Sequence, residues 1–110
     1  MKLPNGGGAI IEMEKLHGYC LSRTHPAGQH KARVFQSTLA LTAANADVLY
    51  AALKRAARED EAKVGTSDQY GVRYIIDFRL EWNGKAAIIR SSWILRSSEL
   101  VPRLTTCYVL

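Results

Sequence analysis

The sequence predicts an α+β fold in which N-terminal helices pack on one face of a curved antiparallel sheet of three to four strands. Through residues 12–57, apolar residues recur at three- and four-residue spacing, which is typical of amphipathic helices. After Gly65 the apolar period changes to two, as expected for half-buried strands. The pair Asn83-Gly84 lies between two such runs and favours a two-residue hairpin turn. Helices followed by strands define the α+β class.

Three helices are predicted within residues 10–62, after a segment 1–9 that is predicted to be flexible or loosely pinned. The first runs from Glu12 to Leu21, the second starts near His30 and the third follows the N-cap residue Thr42. Their core faces are predicted to hold Met13, Leu16, Tyr19 and Cys20 in the first helix, Val34, Phe35, Thr38 and Leu39 in the second, and Ala43, Ala46, Leu49, Tyr50, Leu53, Ala56 and Ala57 in the third. His17, between Leu16 and Tyr19, is predicted to be structural.

The sheet is predicted within residues 68–110. A two-residue turn at Asn83-Gly84 sets the hairpin register and places Asp77 opposite Arg90. It also places Tyr74 opposite Trp93, and both rings are predicted to lie in the core. A third strand covers 103–110, and its register is open: either Arg103 and Thr105, or Thr106 and Tyr108, share the face that points away from the helices.

Length and composition indicate one domain, because two domains in 110 residues would each be too small to bury a core. The two cysteines lie far apart and match no metal-ligand spacing, so reduced thiols are expected rather than a disulfide or a zinc site. No apolar run approaches the length of a membrane span, and no secretory signal precedes the domain. A cytoplasmic protein without a membrane partner is expected.

The charge distribution indicates a polyanionic partner. The net charge is +5, and no acidic residue occurs between Lys15 and Ala46, a stretch that holds all three histidines. A second acid-poor segment follows Gly84. If the two segments meet, they form a positive surface suited to a polyanion, whereas the alternative is a slightly basic solvated surface.

Two groups of residues could carry phosphodiester chemistry. On the open face of the sheet, guanidinium and hydroxyl groups surround Asp77, and arginine forks bind phosphate oxygens in two places. The predicted members are Arg73, Arg79, Arg90 and Ser92, with Arg103 and Thr105 or Thr106 and Tyr108. The alternative is a solvated face with an Asp77–Arg90 pair. The second group lies at the start of the second helix and comprises His25, His30, Lys31 and Arg33.

The scarcity of carboxylates near these groups argues against a bound metal ion. Nucleases that depend on Mg²⁺ hold it with clustered carboxylates, and the strands offer only Asp77 and Glu81. No nucleotide-cofactor motif occurs either, so no metal and no cofactor is expected. RNA is favoured over DNA as a substrate for a metal-independent enzyme, because its 2′-OH supplies an internal nucleophile.

Five segments resemble an uncharacterised family of small bacterial domains: KLPN, THPxGxHKARVF (24–35), YGxRYxxDF (70–78), RSxW (90–93) and PRLTTCYV (102–109). That family occurs as stand-alone proteins and as terminal modules of polymorphic-toxin-like chains. Its layout is similar to the barnase–EndoU–colicin–RelE superfamily of metal-independent endoribonucleases. One departure is that Ala27 and Gln29 leave the approach to His30 less basic than expected for the family.

The resemblance implies a metal-independent endoribonuclease toxin of a toxin–antitoxin or contact-dependent competition system. His30 is expected to act as general base or acid, Lys31, Arg90 and Arg103 to stabilise the phosphorane, and Thr106 or Tyr108 to orient the phosphate. Expected substrate-binding residues are His25, Arg33, Arg73, Ser92 and Thr105. The expected partners are RNA and an acidic antitoxin or immunity protein. The alternative is a non-catalytic basic module that binds nucleic acid or an acidic protein; an immunity protein is a third possibility that the basic charge disfavours.

Overall fold

The computed structural model describes residues 1–110 and has the predicted α+β architecture, with three helices packed against an open four-stranded antiparallel sheet. The sheet order is β1-β2-β3-β4, so each strand pairs with its neighbour in the chain. The strand bounds are β1 Lys63–Asp68, β2 Gly71–Trp82, β3 Lys85–Arg96 and β4 Arg103–Val109. The helices are α1 Met13–Lys15, α2 Gln29–Leu39 and α3 Ala46–Glu59. None of them has the length and apolar character that crossing a bilayer requires.

The first predicted helix is only one α-helical turn. α1 continues as a π-helical turn, Leu16–Cys20, which buries Leu16 and Cys20. A 3₁₀ turn, Ala43–Asn45, precedes α3, and Thr42 caps that turn in a reciprocal capping box with Asn45 rather than capping α3 itself. The predicted apolar stripe of α3 is buried at Ala46, Leu49, Leu53, Ala56 and Ala57.

The predicted hairpin register is confirmed along the whole of β2 and β3. Asp77 lies opposite Arg90 and Tyr74 opposite Trp93, as the turn residues require. Asn83 and Gly84 have φ of 57° and 71°, which is the left-handed conformation that this type of turn needs. Both predicted core aromatic residues, Tyr74 and Trp93, are buried.

A β-bulge in β4 settles the register that the sequence leaves open. Thr105 is the extra residue, because Ser92 pairs with Thr106 while the next residue of β3 pairs with Leu104. Arg103 therefore lies opposite Ile94 and Tyr108 lies opposite Arg90. Residues directly opposite each other share a face, so Arg103 and Tyr108 both belong to the open face instead of excluding each other.

Three sequence-based expectations differ from the structure. Residues 1–9 are not loosely held: Leu3 and Ala9 are buried, and Gly6 lies so close to the Ala57 carbonyl that a Cβ atom would collide with it. Val34 and Met13, both predicted for the core, are exposed. In α2 the buried positions are Ala32, Phe35 and Leu39, so Val34 lies outside the buried stripe of that helix. The sheet also begins at 63 rather than 68.

Strand β1 is not predicted from the sequence because neither of its faces is buried. All six of its residues are exposed, and its sequence KVGTSD shows no apolar alternation. It is held by backbone pairing with β2, with an irregularity between Val64 and Ser67. An edge strand of this kind gives no hydrophobic pattern, since neither of its faces contributes to the core.

Candidate functional site

The start of α2 is pressed against the π-helical turn, and this contact builds the candidate site. A Cβ atom on Gly28 would lie 2.0 Å from the Tyr19 carbonyl oxygen, so only glycine permits this approach. The contact carries α2 alongside β4, and as a result His30 and Lys31 face the end of that strand. Glycine at this point of the sequence therefore positions the predicted basic group.

A cavity of about 350 Å³ brings three predicted catalytic residues together. His30 and Lys31 line it from α2, and Tyr108 lines it from β4; Val34 and Val109 complete the wall. The Lys31 ammonium donates a hydrogen bond to the Tyr19 hydroxyl at 2.9 Å and lies 5.9 Å from the centroid of the Tyr108 ring. Lys31 makes no ion pair with a carboxylate, so no acidic side chain neutralises its charge beside this cavity.

Arg90 lies across the strand pair from Tyr108 and is held in place by Asp77. Its Nε and Nη2 donate to the two carboxylate oxygens of Asp77, both at 2.9 Å. This bidentate bond is the main reason why the pKa of Arg90 is raised, and the nearby Tyr108 hydroxyl adds to it. The pair confirms the cross-strand contact predicted for these residues and directs the guanidinium along the open face toward Tyr108.

The Asp77–Arg90 pair predicts a specific acid response. The hydrogen bond from Arg90 lowers the pKa of the Asp77 carboxyl. Because the folded pKa lies below the unfolded one, the pair stabilises the folded state above about pH 4 and loses this contribution as the pH falls further. Asp77→Asn should therefore lose stability at neutral pH and show a shallower decline in acid. Urea unfolding of both proteins across this range measures the difference, and Asp47→Asn, at an exposed and unpaired carboxylate, should decline as wild type does.

A second cavity of about 790 Å³ holds two of the predicted substrate-binding residues, His25 and Thr105. The His25 ring stands edge-on to the Tyr19 ring, with centroids 5.0 Å apart. Its Nδ1 accepts hydrogen bonds from the backbone N–H groups of Ala27 and Gly28, both at 3.0 Å, so the neutral ring carries its proton on Nε2. Tyr19 lines this cavity and bonds to Lys31 of the first one, so the two cavities are neighbours.

The open face is less positive than the sequence indicates, because every arginine that projects from it has an acidic partner. Arg103 donates to Glu12 and Glu99, both at 2.8 Å, and these bonds raise its pKa. The other pairs are Arg73–Asp68, Arg79–Glu81, Arg90–Asp77 and Arg96–Glu99. Asp77 and Glu81 lie on β2 itself, whereas Asp68, Glu12 and Glu99 come from β1, the residue before α1 and the loop before β4, which the predicted hairpin register does not connect to the sheet face.

Part of the unpaired positive charge lies around the start of α2; the other cations without an ion-pair partner are Lys15, Arg23, Lys54, Arg55, Lys63 and Lys85. His25, His30, Lys31 and Arg33 make no ion pair, and Arg33 is exposed. We call these four residues the α2 basic patch. On the sheet, Ser92 pairs with Thr106, whose Oγ1 is buried without a hydrogen-bond partner. Arg103 lies at the far end of β4 from Tyr108, so the structure does not bring it into the first cavity.

Tyr19, His17 and Glu12 are among the cavity residues that are absent from the sequence-based candidates. Tyr19 is assigned to the core by its spacing, yet it is half-buried and separates the cavities. His17, predicted to be structural, is exposed and lines the second cavity, because the π-helical turn rotates it outward. Glu12 has no sequence signal at all. No three His, Cys, Asp or Glu side chains lie close enough to hold a metal ion together.

The chain belongs to a family described as a domain of unknown function (DUF6883), whose model matches residues 2–110. None of the curated proteins matches it in sequence.

Among solved structures, the fold is similar to a chain of a contact-dependent growth inhibition toxin–immunity protein complex from Klebsiella pneumoniae 342. The TM-score is 0.70 and the identity 15%, and the match covers 92% of this chain and 99% of the other. At this identity the likeness establishes the fold.

Proposed function

We propose that the protein is a metal-independent endoribonuclease that acts as a toxin in contact-dependent competition or in a toxin–antitoxin system. The observation that carries the proposal is the first cavity, where His30, Lys31 and Tyr108 line one space beside Arg90. An imidazole, an ammonium, a phenol and a guanidinium are the groups that RNA cleavage without a metal requires.

The cleavage would proceed by transesterification. The 2′-OH loses its proton and its oxygen attacks phosphorus, the bond from phosphorus to the 5′ oxygen breaks, and that oxygen takes up a proton. The products are a 2′,3′-cyclic phosphate and a 5′-OH. His30 is assigned one of the two proton transfers, Lys31 and Arg90 stabilise the charge on the phosphorane, and Tyr108 orients the phosphate. Arg103, with both of its Nη atoms bound by carboxylates, is better suited to positioning than to this role.

Two further observations support a toxin role. The fold likeness is to a toxin–immunity protein complex. The charge of +5 favours the toxin side of such a pair, since the partner of a basic nuclease should itself be acidic. On this basis the chain is assigned to the barnase–EndoU–colicin–RelE superfamily, it acts on RNA in the cytoplasm, and an acidic immunity protein or antitoxin covers the α2 basic patch.

The decisive test is cleavage of total tRNA and mRNA by the purified protein in excess EDTA. We expect fragments with 2′,3′-cyclic phosphate ends, and we expect Arg90→Ala to lose most of the activity. Arg58→Ala is the matched control, because Arg58 is an exposed arginine at the end of α3. RNA left intact by wild type, or equal cleavage by Arg90→Ala and Arg58→Ala, contradicts the proposal.

The alternative function is a non-catalytic module that binds nucleic acid or an acidic protein. It is favoured by the acidic partners of the sheet arginines, which neutralise charge that a phosphodiester site on the open face would use, while the α2 basic patch stays unpaired. This alternative predicts binding without turnover, with log affinity falling as log salt concentration rises. Tight, salt-sensitive binding to RNA that remains uncut would establish it.

A further inference from the structure

The second cavity contains a carboxylate that the fold orients. Glu12 lines this cavity, and its Oε1 accepts a hydrogen bond from Arg103 at 2.8 Å. Arg103 is held on its other side by Glu99, also at 2.8 Å. The contacts Glu99–Arg103–Glu12 therefore orient the Glu12 carboxylate, whose side chain is 55% exposed and whose Oε2 makes no hydrogen bond within the protein.

The cavity has the size and the chemistry of a ligand site. Its volume of about 790 Å³ lies within the ~300–1,000 Å³ of typical small-molecule sites. Its lining is polar: it holds the Nε2–H of His25, the Glu12 carboxylate and the Thr105 hydroxyl, which donates to the Ser92 carbonyl at 3.0 Å and is left with acceptor capacity only. It also adjoins the first cavity through Tyr19, whose hydroxyl holds Lys31.

We propose that the second cavity recognises the base of a nucleotide next to the reacting phosphate, and that Glu12 selects bases that carry an exocyclic amino group. This inference rests on the proposed function for the position of the reacting phosphate. An oriented carboxylate only accepts hydrogen bonds, so it pairs with the amino group of adenine, cytosine or guanine. Uracil presents carbonyl oxygens at the corresponding positions and leaves the carboxylate unpaired. Arg103 is the positioning residue of this site, because it acts through Glu12.

Binding of uncleavable RNA tests the inference. We would measure the affinity of hexanucleotides of adenosine, cytidine or uridine in which every 2′-oxygen is methylated, so that no transesterification can occur. Wild type should bind the adenosine and cytidine hexamers roughly tenfold more tightly than the uridine hexamer. Glu12→Gln replaces one acceptor by a donor and should abolish or reverse this preference. Glu81→Gln, at an exposed carboxylate on β2 that lines neither of the two cavities, should keep it.

Arg103→Lys gives a separate readout of positioning. Lysine keeps the charge but cannot bridge Glu12 and Glu99 with two parallel donors, so the base preference should fall while the salt dependence of binding stays unchanged. Circular dichroism confirms that each variant is folded. Equal affinity of wild type for the three hexamers, absence of binding, or a preference that survives in Glu12→Gln overturns the inference. Because these hexamers cannot be cleaved, a base preference stands even if the cleavage assay in EDTA fails.

Discussion

His30→Ala is expected to reduce RNA cleavage by about 10²- to 10⁴-fold while leaving the fold intact, because general acid–base catalysis contributes about this much. His30 lies in the first turn of α2 and is exposed, so its removal leaves no space in the core. It is also the only histidine that lines the cavity with Lys31 and Tyr108. The rate of cleavage of a single RNA substrate, measured with enzyme in excess, reports the change without the influence of product release.

The pH dependence separates proton transfer from a binding role of His30. If His30 carries out a proton transfer, the pH profile of the wild-type rate should contain a limb that the His30→Ala profile lacks. If His30 is the general base, that limb rises with pH; if it is the general acid, it falls. Lys85→Ala, at an exposed lysine beside the hairpin turn, serves as the control that removes a cation far from α2. A variant that cleaves as fast as wild type, or keeps the same limb, refutes the assignment.

The hairpin illustrates what the sequence can predict about this fold. Asn83-Gly84 fixes a two-residue turn, and period-two alternation assigns each neighbour to one face, so a single local signal determines the partners of all twelve residues in each strand. The helices are predictable for the same reason, since their buried stripes repeat with the helical period. The structure departs from the predictions where no repeating pattern exists.

The unpredicted features all depend on contacts between distant parts of the chain. β1 is held by the backbone of β2 and by the Asp68–Arg73 ion pair, and the bulge at Thr105 becomes visible only when β4 is paired with β3. The hairpin register predicts the Asp77–Arg90 pair, but other acids that bind the sheet arginines are distant: Glu12 lies 91 positions before Arg103 in the chain. Local spacing contains no information on such pairs, and for this reason the sequence overestimates the positive charge of the open face.

The candidate site likewise has one part that the sequence predicts and one part that depends on contacts between distant residues. His30 and Lys31 are adjacent on one helix, and Tyr108 lies opposite Arg90 once the bulge is included, so residue types and register together nominate the first cavity. Of the residues that line the second cavity, the sequence predicts only His25 and Thr105 as substrate-binding residues. The π-helical turn places Tyr19 in the wall of this cavity, and the ion pair with Arg103 orients Glu12 there. Neither feature has a signature in the sequence. Whether these residues act on RNA stays a prediction for the assays above to decide.

The largest loss of stability is expected for Trp93→Ala, at about 3–5 kcal/mol. Trp93 is completely buried between the sheet and the helices. Its Nε1 donates to the Ser91 hydroxyl at 2.9 Å, and that hydroxyl donates in turn to the Ile76 carbonyl at 2.8 Å. The substitution therefore opens a cavity and also removes the donor that satisfies the only buried polar side chain of the core. Domains of this size are stable by ~5–15 kcal/mol, so the variant should lie close to unfolding.

The other tryptophan provides the matched control for this argument. Trp82 is half-buried beside the hairpin turn, and its Nε1 has no hydrogen-bond partner. Trp82→Ala removes the same side chain without breaking a polar network, so its cost should be clearly smaller, at about 1 kcal/mol. Urea unfolding followed by far-UV circular dichroism gives both values on one scale. Similar midpoints for the two variants would contradict this argument, because they would mean that full burial of the Trp93 ring and its hydrogen bond to Ser91 add nothing to what a half-buried tryptophan contributes.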